Sequence, residues 1–222
     1  MNHRPLLDAC NTTAPLPEGA QTSPAVARNR DPILAILRRT LPRSGTVLEI
    51  ASGTGEHAMH FAAHLSGLTW QPTDRDADTL RSIAAYRTAA NLPNLKPPIL
   101  LDARSRPWSM GGTSNPRIVA IVAINMIHIA PWAAAEGLIA GAGDLLGPHS
   151  VLFLYGPFRE NGLHTARSNA AFDASLKARD PAWGVRDLGE VTALAKQYGF
   201  GFVERVAMPA NNLSVVLRRQ SP

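Results

Sequence analysis

From Arg28 onward, apolar positions alternate between short continuous runs and longer stretches with a helical spacing. Continuous runs rich in Val, Ile and Leu are typical of buried strands, whereas apolar residues three and four positions apart are typical of helices. The pattern predicts strands over 46–51, 68–73, 98–101, 117–125 and 150–155, and helices over 54–65, 76–90 and 132–146. Such alternation favours an α/β fold: a mostly parallel, doubly wound, Rossmann-like sheet with helices on both faces.

The chain ahead of the first strand divides into two parts. Residues 1–24 are rich in Pro, Thr, Asn and Ala without periodicity, so we expect a poorly ordered N-terminal arm. Asp31 and Pro32 predict an N-cap and the first helical residue, and the apolar positions that follow continue this helix to Leu41. We therefore expect a single domain over residues 25–222.

The last two strand-like runs, 200–208 and 213–218, are separated only by the turn-forming residues 209–212. So short a connection cannot cross over between parallel strands, and the two runs therefore predict an antiparallel hairpin. A parallel sheet that ends in an antiparallel hairpin is the arrangement of class I methyltransferases, whose seventh strand runs against the other six. The predicted fold is therefore a seven-stranded, mostly parallel sheet of that type.

Composition narrows the classes of function. The 222 residues carry a net charge of +5 and one cysteine, Cys10, so no intrachain disulfide or cysteine zinc site can form, and we expect no metal. The basic residues are scattered among acidic ones, which argues against a nucleic-acid partner. Because the sequence lacks a signal-peptide pattern and a long apolar segment, the expected location is the cytoplasm, without a membrane partner.

The strongest chemical signal is the glycine-rich turn after the first predicted strand. Gly53 and Gly55 allow the backbone to approach a ligand closely, and the next helix presents free N–H groups. This spacing suits either the phosphates of NAD or the carboxylate of S-adenosylmethionine. Glu49, an acid inside an apolar strand, favours S-adenosylmethionine, because an acid at this position orders the loop in methyltransferases. A Glu that only binds loop amides is the alternative interpretation.

Two aspartates end the second and third predicted strands, at the edge where open parallel sheets bind ligands. Asp74 can accept hydrogen bonds from the ribose hydroxyls of a cofactor, or it can cap the helix that follows. Asp102 can accept from the amino group of adenine, or it can be an ordinary turn residue. Trp108 can cover the adenine ring, or it can belong to the core.

Candidate catalytic and orienting residues follow the fourth and fifth predicted strands at the same edge. Asn125 can orient the cofactor or the acceptor, and His128 can act as a base, because an imidazole ordinarily titrates near neutrality. A His beside apolar neighbours is more often a structural residue, which is the alternative interpretation. Tyr155, at the end of the fifth predicted strand, is the second candidate catalytic residue.

The connection after the fifth strand is long for a crossover between parallel strands. Residues 157–187 therefore predict an insertion beyond the strand ends that covers the site and binds the acceptor. An extra surface helix over 165–178, with Phe172 and Leu176 facing the core, is the alternative interpretation. The two interpretations are compatible with each other.

Several segments resemble a family of class I methyltransferase-like proteins of bacteria and animals, long labelled a domain of unknown function. The matching segments are 27–33, 48–57, 125–132, 155–158, 168–173 and 183–187. The resemblance implies a Rossmann-like methyltransferase fold with S-adenosylmethionine as cofactor, and it suggests that Arg28 and Asn29 face the site. Ala51, where methyltransferases commonly have glycine, and His57 depart from the broader pattern, and both stay among the expected cofactor-binding residues.

The combined expectation is transfer of a methyl group from S-adenosylmethionine to a small-molecule acceptor. This reaction needs alignment and exclusion of water more than it needs reactive protein groups. A module that binds S-adenosylmethionine without transferring its methyl group is the first alternative. A nicotinamide-dependent oxidoreductase is the second, although Arg159 stands where the Tyr-x-x-x-Lys pair of such enzymes would place lysine after Tyr155. A homodimer is compatible with the sequence.

Overall fold

The computed structural model describes residues 16–110 and 117–221 of the chain. The helices are α1 (Pro24–Thr40), α2 (Glu56–His64), α3 (Ala77–Ala90), α4 (Trp132–Leu145), α5 (Arg167–Arg179) and α6 (Leu188–Gln197). The strands are β1 (Gly45–Ile50), β2 (Leu68–Asp74), β3 (Ile99–Leu100), β4 (Ile118–Ile124), β5 (Val151–Gly156), β6 (Arg159–Glu160), β7 (Leu163–His164), β8 (Phe200–Met208) and β9 (Asn212–Arg219). None of the helices in these ranges is both long and apolar enough to span a bilayer.

Seven of these strands form one sheet in the order β3-β2-β1-β4-β5-β9-β8. β9 runs antiparallel to both of its neighbours, β5 and β8, and the other neighbouring pairs are parallel. The strand order reverses beside β1, so the carboxyl ends of β1 and β4 border a crevice of the kind that binds ligands. The predicted mostly parallel, seven-stranded sheet with an antiparallel C-terminal hairpin is confirmed.

Two apolar cores, one on each face of the sheet, hold the layers together. One core packs against α4 and α6, and the other packs against α1 and α2. β4 contributes to both, because its residues 118–123 are all buried and its side chains point to the two faces. Burial of each Ile or Val contributes roughly 1.5–3 kcal/mol, so this central strand is a firm support for the loops at its carboxyl end.

Helix α1 begins earlier than the sequence predicts. Its first residue is Pro24, and Pro32 lies inside it, so the predicted start at Asp31 and Pro32 is wrong. A proline inside a helix removes one backbone hydrogen bond and strains the preceding turn. The first turns persist because Val26 and Asn29 are buried against the domain. Packing of the whole domain therefore outweighs the local cap signal.

The predicted N-terminal arm falls largely on residues 1–15, which lie outside the described residues together with Cys10. The described end of the arm is attached to α3. The backbone N–H of Gln21 donates to Oγ of Ser82 over 2.8 Å, and the hydroxyl of Tyr86 donates to the carbonyl of Gln21 over 3.0 Å. These two hydrogen bonds fix the path of the chain into α1.

The predicted insertion after β5, residues 157–187, contains the short hairpin β6–β7 and helix α5. Leu176 is fully buried, as predicted, but Phe172 is 39% exposed, so the prediction that Phe172 faces the core is wrong. Asn169, Asp173 and Leu176 form the buried stripe of α5, spaced as one face of a helix. Phe172 lies beside this stripe rather than in it.

Helix α4 lies close to the chain that follows β3. Gly137 of α4 faces the carbonyl of Ala103, and Gly141 faces the ring of Trp108, so a larger side chain at either glycine would collide. The indole Nε1–H of Trp108 donates to the carbonyl of Ala103 over 3.2 Å. The structure therefore supports the interpretation of Trp108 as a packed core residue.

Candidate functional site

A cavity of about 200 Å³ opens at the carboxyl ends of β1, β2, β3 and β4. Its walls come from the loops that leave these strands, which a parallel sheet brings to one edge. Four residues predicted from the sequence line the cavity: Ala51, Gly53, Asp74 and Asp102. Its apolar wall consists of Ile50, Leu101, Ala103, Ile124, Met126, Ile129, Ala130, Pro131 and Ala134. The cavity thus combines a broad apolar surface with two carboxylates.

The loop between β1 and α2 uses left-handed backbone conformations to make its turn. The φ angle is +57° at Ala51, +59° at Gly53 and +91° at Gly55, which caps the start of α2. A Cβ atom on Gly55 would lie 2.8 Å from the Cα of Ile83, whereas a Cβ atom on Gly53 would meet nothing within 4 Å. Packing therefore requires glycine at Gly55, while Gly53 leaves open space at the cavity.

Asp74 connects this loop to the end of β2. Its Oδ2 accepts from the N–H of Gly53 over 3.1 Å, and its Oδ1 accepts from the N–H of Asp76 over 3.1 Å. Burial raises the pKa of Asp74 above its ordinary value, and these backbone hydrogen bonds oppose that shift. The N-cap of α3 is Asp76, whose side chain accepts from the N–H groups of Asp78 and Thr79. Asp74 is therefore not the helix cap, and its carboxylate faces the cavity.

Asp102 lies at the rim of the cavity, where Arg104 holds its carboxylate. Its Oδ2 accepts from Nη2 of Arg104 over 2.6 Å, and its Oδ1 accepts from the backbone N–H of Arg104 over 2.9 Å. The hydrogen bonds from Arg104 hold the pKa of Asp102 below its usual range. A ligand would therefore share this carboxylate with Arg104, which the sequence did not indicate.

Glu49 is buried away from the cavity. Its Oε2 accepts from the indole Nε1–H of Trp70 over 3.0 Å, within the core beside α1 and α2. Burial raises the pKa of Glu49 to about 7, and the hydrogen bond from Trp70 opposes that shift. A hydrogen bond with Ser52 of the β1–α2 loop also opposes that shift, so the carboxyl contacts the loop as well as Trp70. The backbone carbonyl of Glu49 accepts from the hydroxyl of Thr73 in β2 over 2.8 Å.

A second group of predicted residues lies on the same face of the sheet as Glu49. Nε2 of His57 lies 2.8 Å from Oδ1 of Asn29, and burial lowers the pKa of His57 to about 3. Burial raises the pKa of Tyr155, and hydrogen bonds with Asn29 and Asn212 oppose that shift. The structure thus joins three predicted residues from separate motifs in one buried network. Arg28, one residue before Asn29, is exposed.

His128 is fully buried beneath the insertion. Its Nδ1 accepts from the backbone N–H of Arg186 over 3.1 Å, and its ring meets that of Phe158 edge-on, with the centroids 4.8 Å apart. Burial lowers the pKa of His128 to about 3, so the ring is neutral near neutral pH. Asn125 begins the turn that carries His128, with φ at +60°. Neither residue contributes to the cavity wall.

Arg186 fastens the insertion to the rim of the cavity. Its guanidinium donates to the carbonyls of Ile127 and Ala130 over 3.0 and 2.6 Å. In the same stretch, the N–H of Gly184 donates to the carbonyl of His128 over 2.9 Å. Because Ala130 lines the cavity, one side chain of the insertion supports part of the cavity wall. The sequence placed Arg186 in the insertion without indicating this role.

The sequence indicated the two carboxylates of the cavity but neither its two arginines, Arg75 and Arg104, nor its apolar wall. Ile129, Ala130 and Pro131 lie in the connection between β4 and α4, and residues after a strand end lie at the ligand-binding edge of a parallel sheet. Their position after a predicted strand was therefore a usable signal. Asn212 was also missed, because it reaches Tyr155 from the C-terminal hairpin, which is distant in sequence.

Known proteins share both the sequence pattern and the fold. The profile of a family described as "Protein of unknown function (DUF938)" matches residues 20–219. An O-methyltransferase family protein from Burkholderia thailandensis superposes with a TM-score of 0.74 at 16% identity, over 89% of this chain and 58% of that one. Human N-acetylserotonin methyltransferase, solved in complex with SAM, superposes with a TM-score of 0.71 at 10% identity, over 89% and 53%.

A third solved structure is the SAH-bound form of CalO1, a methyltransferase in calicheamicin biosynthesis. It superposes with a TM-score of 0.65 at 16% identity, over 86% of this chain and 54% of that one. This chain therefore spans just over half the length of the solved proteins it matches. At these identities the likeness establishes the methyltransferase fold, which is the class predicted from the C-terminal hairpin.

Proposed function

The chain belongs to the DUF938 family, and from this premise we propose that it is an S-adenosylmethionine-dependent methyltransferase acting on a small-molecule acceptor. One observation carries the proposal: the cavity lies at the carboxyl ends of β1 to β4, between a glycine turn and two carboxylates. Ligands of open parallel sheets bind at that edge. The antiparallel β9 is the feature that favours S-adenosylmethionine over a dinucleotide.

The residues of the cavity suit the parts of S-adenosylmethionine. Gly53 leaves open space at the loop, where a backbone can approach the amino-acid end of the cofactor closely. Asp74 offers carboxylate oxygens to the ribose hydroxyls, because a carboxylate has about four acceptor sites and Asp74 uses only some of them for backbone N–H groups. The apolar wall after β3 and β4, including Leu101 and Met126, suits the flat adenine ring.

In this proposal, the residues of the chain align the cofactor with the acceptor and exclude water from the reacting groups. When bound, S-adenosylmethionine supplies an electrophilic methyl group on a sulfonium, and displacement at that carbon needs a closely aligned acceptor. The wall formed by Ile129 and Pro131 shields the adenine end, and Arg186 holds that wall in place through Ala130. His128 is too well buried, and its pKa too low, to take a proton near neutral pH as the structure stands.

Two of the structural neighbours indicate the class of acceptor in their names. One is a methyltransferase of N-acetylserotonin, and another is mitomycin 7-O-methyltransferase. Both names refer to small molecules, and this supports the proposal of a small-molecule acceptor for this chain. Because the chain spans 53–54% of those two proteins, the acceptor itself must come from experiment.

Calorimetric titration with S-adenosylmethionine, S-adenosylhomocysteine and NAD tests the cofactor. We expect micromolar affinity for the first two, which corresponds to roughly −8 kcal/mol, and no heat from NAD. The Asp74→Ala variant should bind both sulfur compounds more weakly. Binding of NAD alone would overturn the proposal and favour a nicotinamide-dependent oxidoreductase.

A module that binds S-adenosylmethionine without transferring its methyl group is the second candidate. The observation in its favour is that both predicted catalytic side chains are buried, with Nδ1 of His128 and the hydroxyl of Tyr155 hydrogen-bonded to the protein. Measurement of S-adenosylhomocysteine formation with a panel of phenols, carboxylic acids and amines separates the two. Turnover with any acceptor supports the enzyme, and tight cofactor binding without turnover across the panel supports the module.

A further inference from the structure

The hairpin β6–β7 lies just beyond the carboxyl end of β5, at the edge of the sheet where the cavity opens. Arg159 and His164 are directly paired across its two strands. Side chains at directly opposite positions of an antiparallel pair project to the same side. Arg159 and His164 therefore share one face of the hairpin, and their neighbour Glu160 projects to the other face, where it binds Arg205 over 2.7 Å.

Both side chains carry a buried nitrogen without a hydrogen-bond partner. Within the described parts of the chain, Nε of Arg159 and Nδ1 of His164 are buried and accept or donate no hydrogen bond. A buried polar group without a partner costs about 1–3 kcal/mol, and more when it is charged. Two such atoms on one face of a two-residue ladder indicate that a hydrogen-bonding group from outside the chain belongs there.

The carboxylates nearby are already engaged. Asp173 accepts from Nζ of Lys177 over 2.6 Å and from the N–H of Val185 over 2.7 Å, and it lies 3.4 Å from Nε2 of His164. Asp187 accepts from the backbone N–H of Gly162, in the turn between β6 and β7, and from that of Gly189, at the start of α6. Neither carboxylate forms an ion pair with Arg159 in the described structure. Among the residues that the structure describes, the Arg159 guanidinium thus has no carboxylate partner.

The electrostatics of the neighbouring Arg186 agree with this excess of positive charge. Burial lowers the pKa of Arg186, and the charge of Arg159 is the next cause of that shift. The guanidinium of Arg186 is committed to backbone carbonyls, among them that of Ala130 in the cavity wall. The backbone N–H of Arg159 in turn donates to the carbonyl of Arg186 over 2.9 Å. Two hydrogen bonds through Arg186 therefore connect Arg159 with the cavity wall.

We propose that Arg159 and His164 form a subsite for an anionic group, a carboxylate or a phosphate, carried by the methyl acceptor. The assignment to the acceptor rests on the proposed function, because neither residue lines the cavity and the subsite connects to its wall only through Arg186. Arg159 supplies a charge-assisted N–H donor that matches either oxyanion. Nδ1 of His164 is the second buried nitrogen on this face, and its Nε2 lies 3.4 Å from Oδ2 of Asp173.

Calorimetry with three small probes tests the subsite on wild-type protein saturated with S-adenosylhomocysteine. The probes are benzoate, phenyl phosphate and the uncharged benzamide. We expect one or both anions to bind and benzamide not to bind, and the anion that binds identifies the headgroup. Arg159→Gln should weaken anion binding at least tenfold, about 1.4 kcal/mol. Arg159→Lys should restore part of the affinity, and His164→Gln should lose less than Arg159→Gln.

Arg205→Gln is the matched control, because Arg205 faces the opposite side of the hairpin and pairs with Glu160. It should leave anion affinity at the wild-type value, and the melting temperatures of all variants report whether they fold. Absence of anion binding to wild type, or equal affinity in wild type and Arg159→Gln, overturns the subsite. If S-adenosylhomocysteine does not bind, the proposed function fails instead, and the same titrations without it still decide whether an anion binds Arg159.

Discussion

Asp74 is the residue on which the loop and the cavity both depend. Its two carboxylate oxygens already accept the N–H groups of Gly53 and Asp76, and it is 7% exposed. Burial raises the pKa of Asp74, and its hydrogen bonds from backbone N–H groups offset only part of that shift. The negative charge of Asp74 is therefore less stabilised than that of a carboxylate paired with a cation. Asp102, which Arg104 neutralises, is the opposite case. A ligand hydroxyl would therefore gain more from Asp74 than from Asp102.

Asp74→Asn should weaken binding of S-adenosylhomocysteine by about tenfold or more, because the amide offers one acceptor oxygen in place of two. Asp76→Asn is the matched control: asparagine caps a helix as well as aspartate does, so affinity should not change. Calorimetry measures both dissociation constants, and thermal unfolding shows whether the loop stays folded. Equal affinity in Asp74→Asn and wild type would remove Asp74 from the binding site.

At the scale of single residues, the sequence predicted where the site residues lie better than it predicted their hydrogen-bond partners. Gly53, Asp74 and Asp102 line the cavity because each lies at or just after the end of a strand, and strand ends can be predicted from the apolar pattern. The partner of Glu49 could not be predicted, because Trp70 meets it from the neighbouring strand. The apolar neighbours of His128 allowed a structural role, but its contact with Arg186 could not be predicted, since Arg186 belongs to an insertion far along the chain.

At the scale of elements, the glycine turn between β1 and α2 contains two glycines with different tasks. Gly55, at φ +91°, is pressed against the backbone of Ile83 in α3, so it sets the distance between two helices. Gly53, at φ +59°, has open space where a side chain would begin. Gly53 therefore serves ligand access, and Gly55 serves packing.

Gly53→Ala and Gly55→Ala should consequently separate binding from stability. Gly53→Ala places a methyl group in open space at the cavity, so it should lower cofactor affinity and cost about 1 kcal/mol of unfolding free energy for its left-handed backbone. Gly55→Ala adds a backbone collision to the same strain and should cost about 2 kcal/mol or more. Urea unfolding and calorimetry on both variants check this. Equal losses of stability would contradict the division of tasks.

The elements themselves were largely predictable. The run at 117–125 gave β4 within a residue at each end, because a strand buried on both faces is apolar throughout. The hairpin of β8 and β9 was predicted because its turn is too short for a crossover. The start of α1 was wrong, since a local cap signal at Asp31 competed with burial of Val26 and Asn29, which only the folded domain reveals.

At the scale of the whole molecule, buried ionisable groups on both faces of the sheet link stability to pH in opposite directions. Glu49 has a pKa of about 7 in the folded chain and an ordinary value of 4.5, so the folded state holds a proton that the unfolded state releases. Its contribution to stability falls as pH rises from 4.5 to 7. His57 and His128 have folded pKa values of about 3 against 6.5, so their contribution falls as pH drops below 6.5.

Glu49→Gln should therefore change the pH dependence of the whole molecule. The variant keeps an acceptor for Trp70 but cannot ionise. The difference in unfolding free energy, variant minus wild type, should therefore rise by about 3 kcal/mol between pH 4.5 and pH 8. Below pH 6.5 the variant should lose stability more steeply than wild type, because His57 and His128 then act without the opposing effect of Glu49. Urea unfolding of both proteins at intervals across this range measures the difference. Parallel curves would show that the Glu49 carboxyl titrates alike in the folded and unfolded chains.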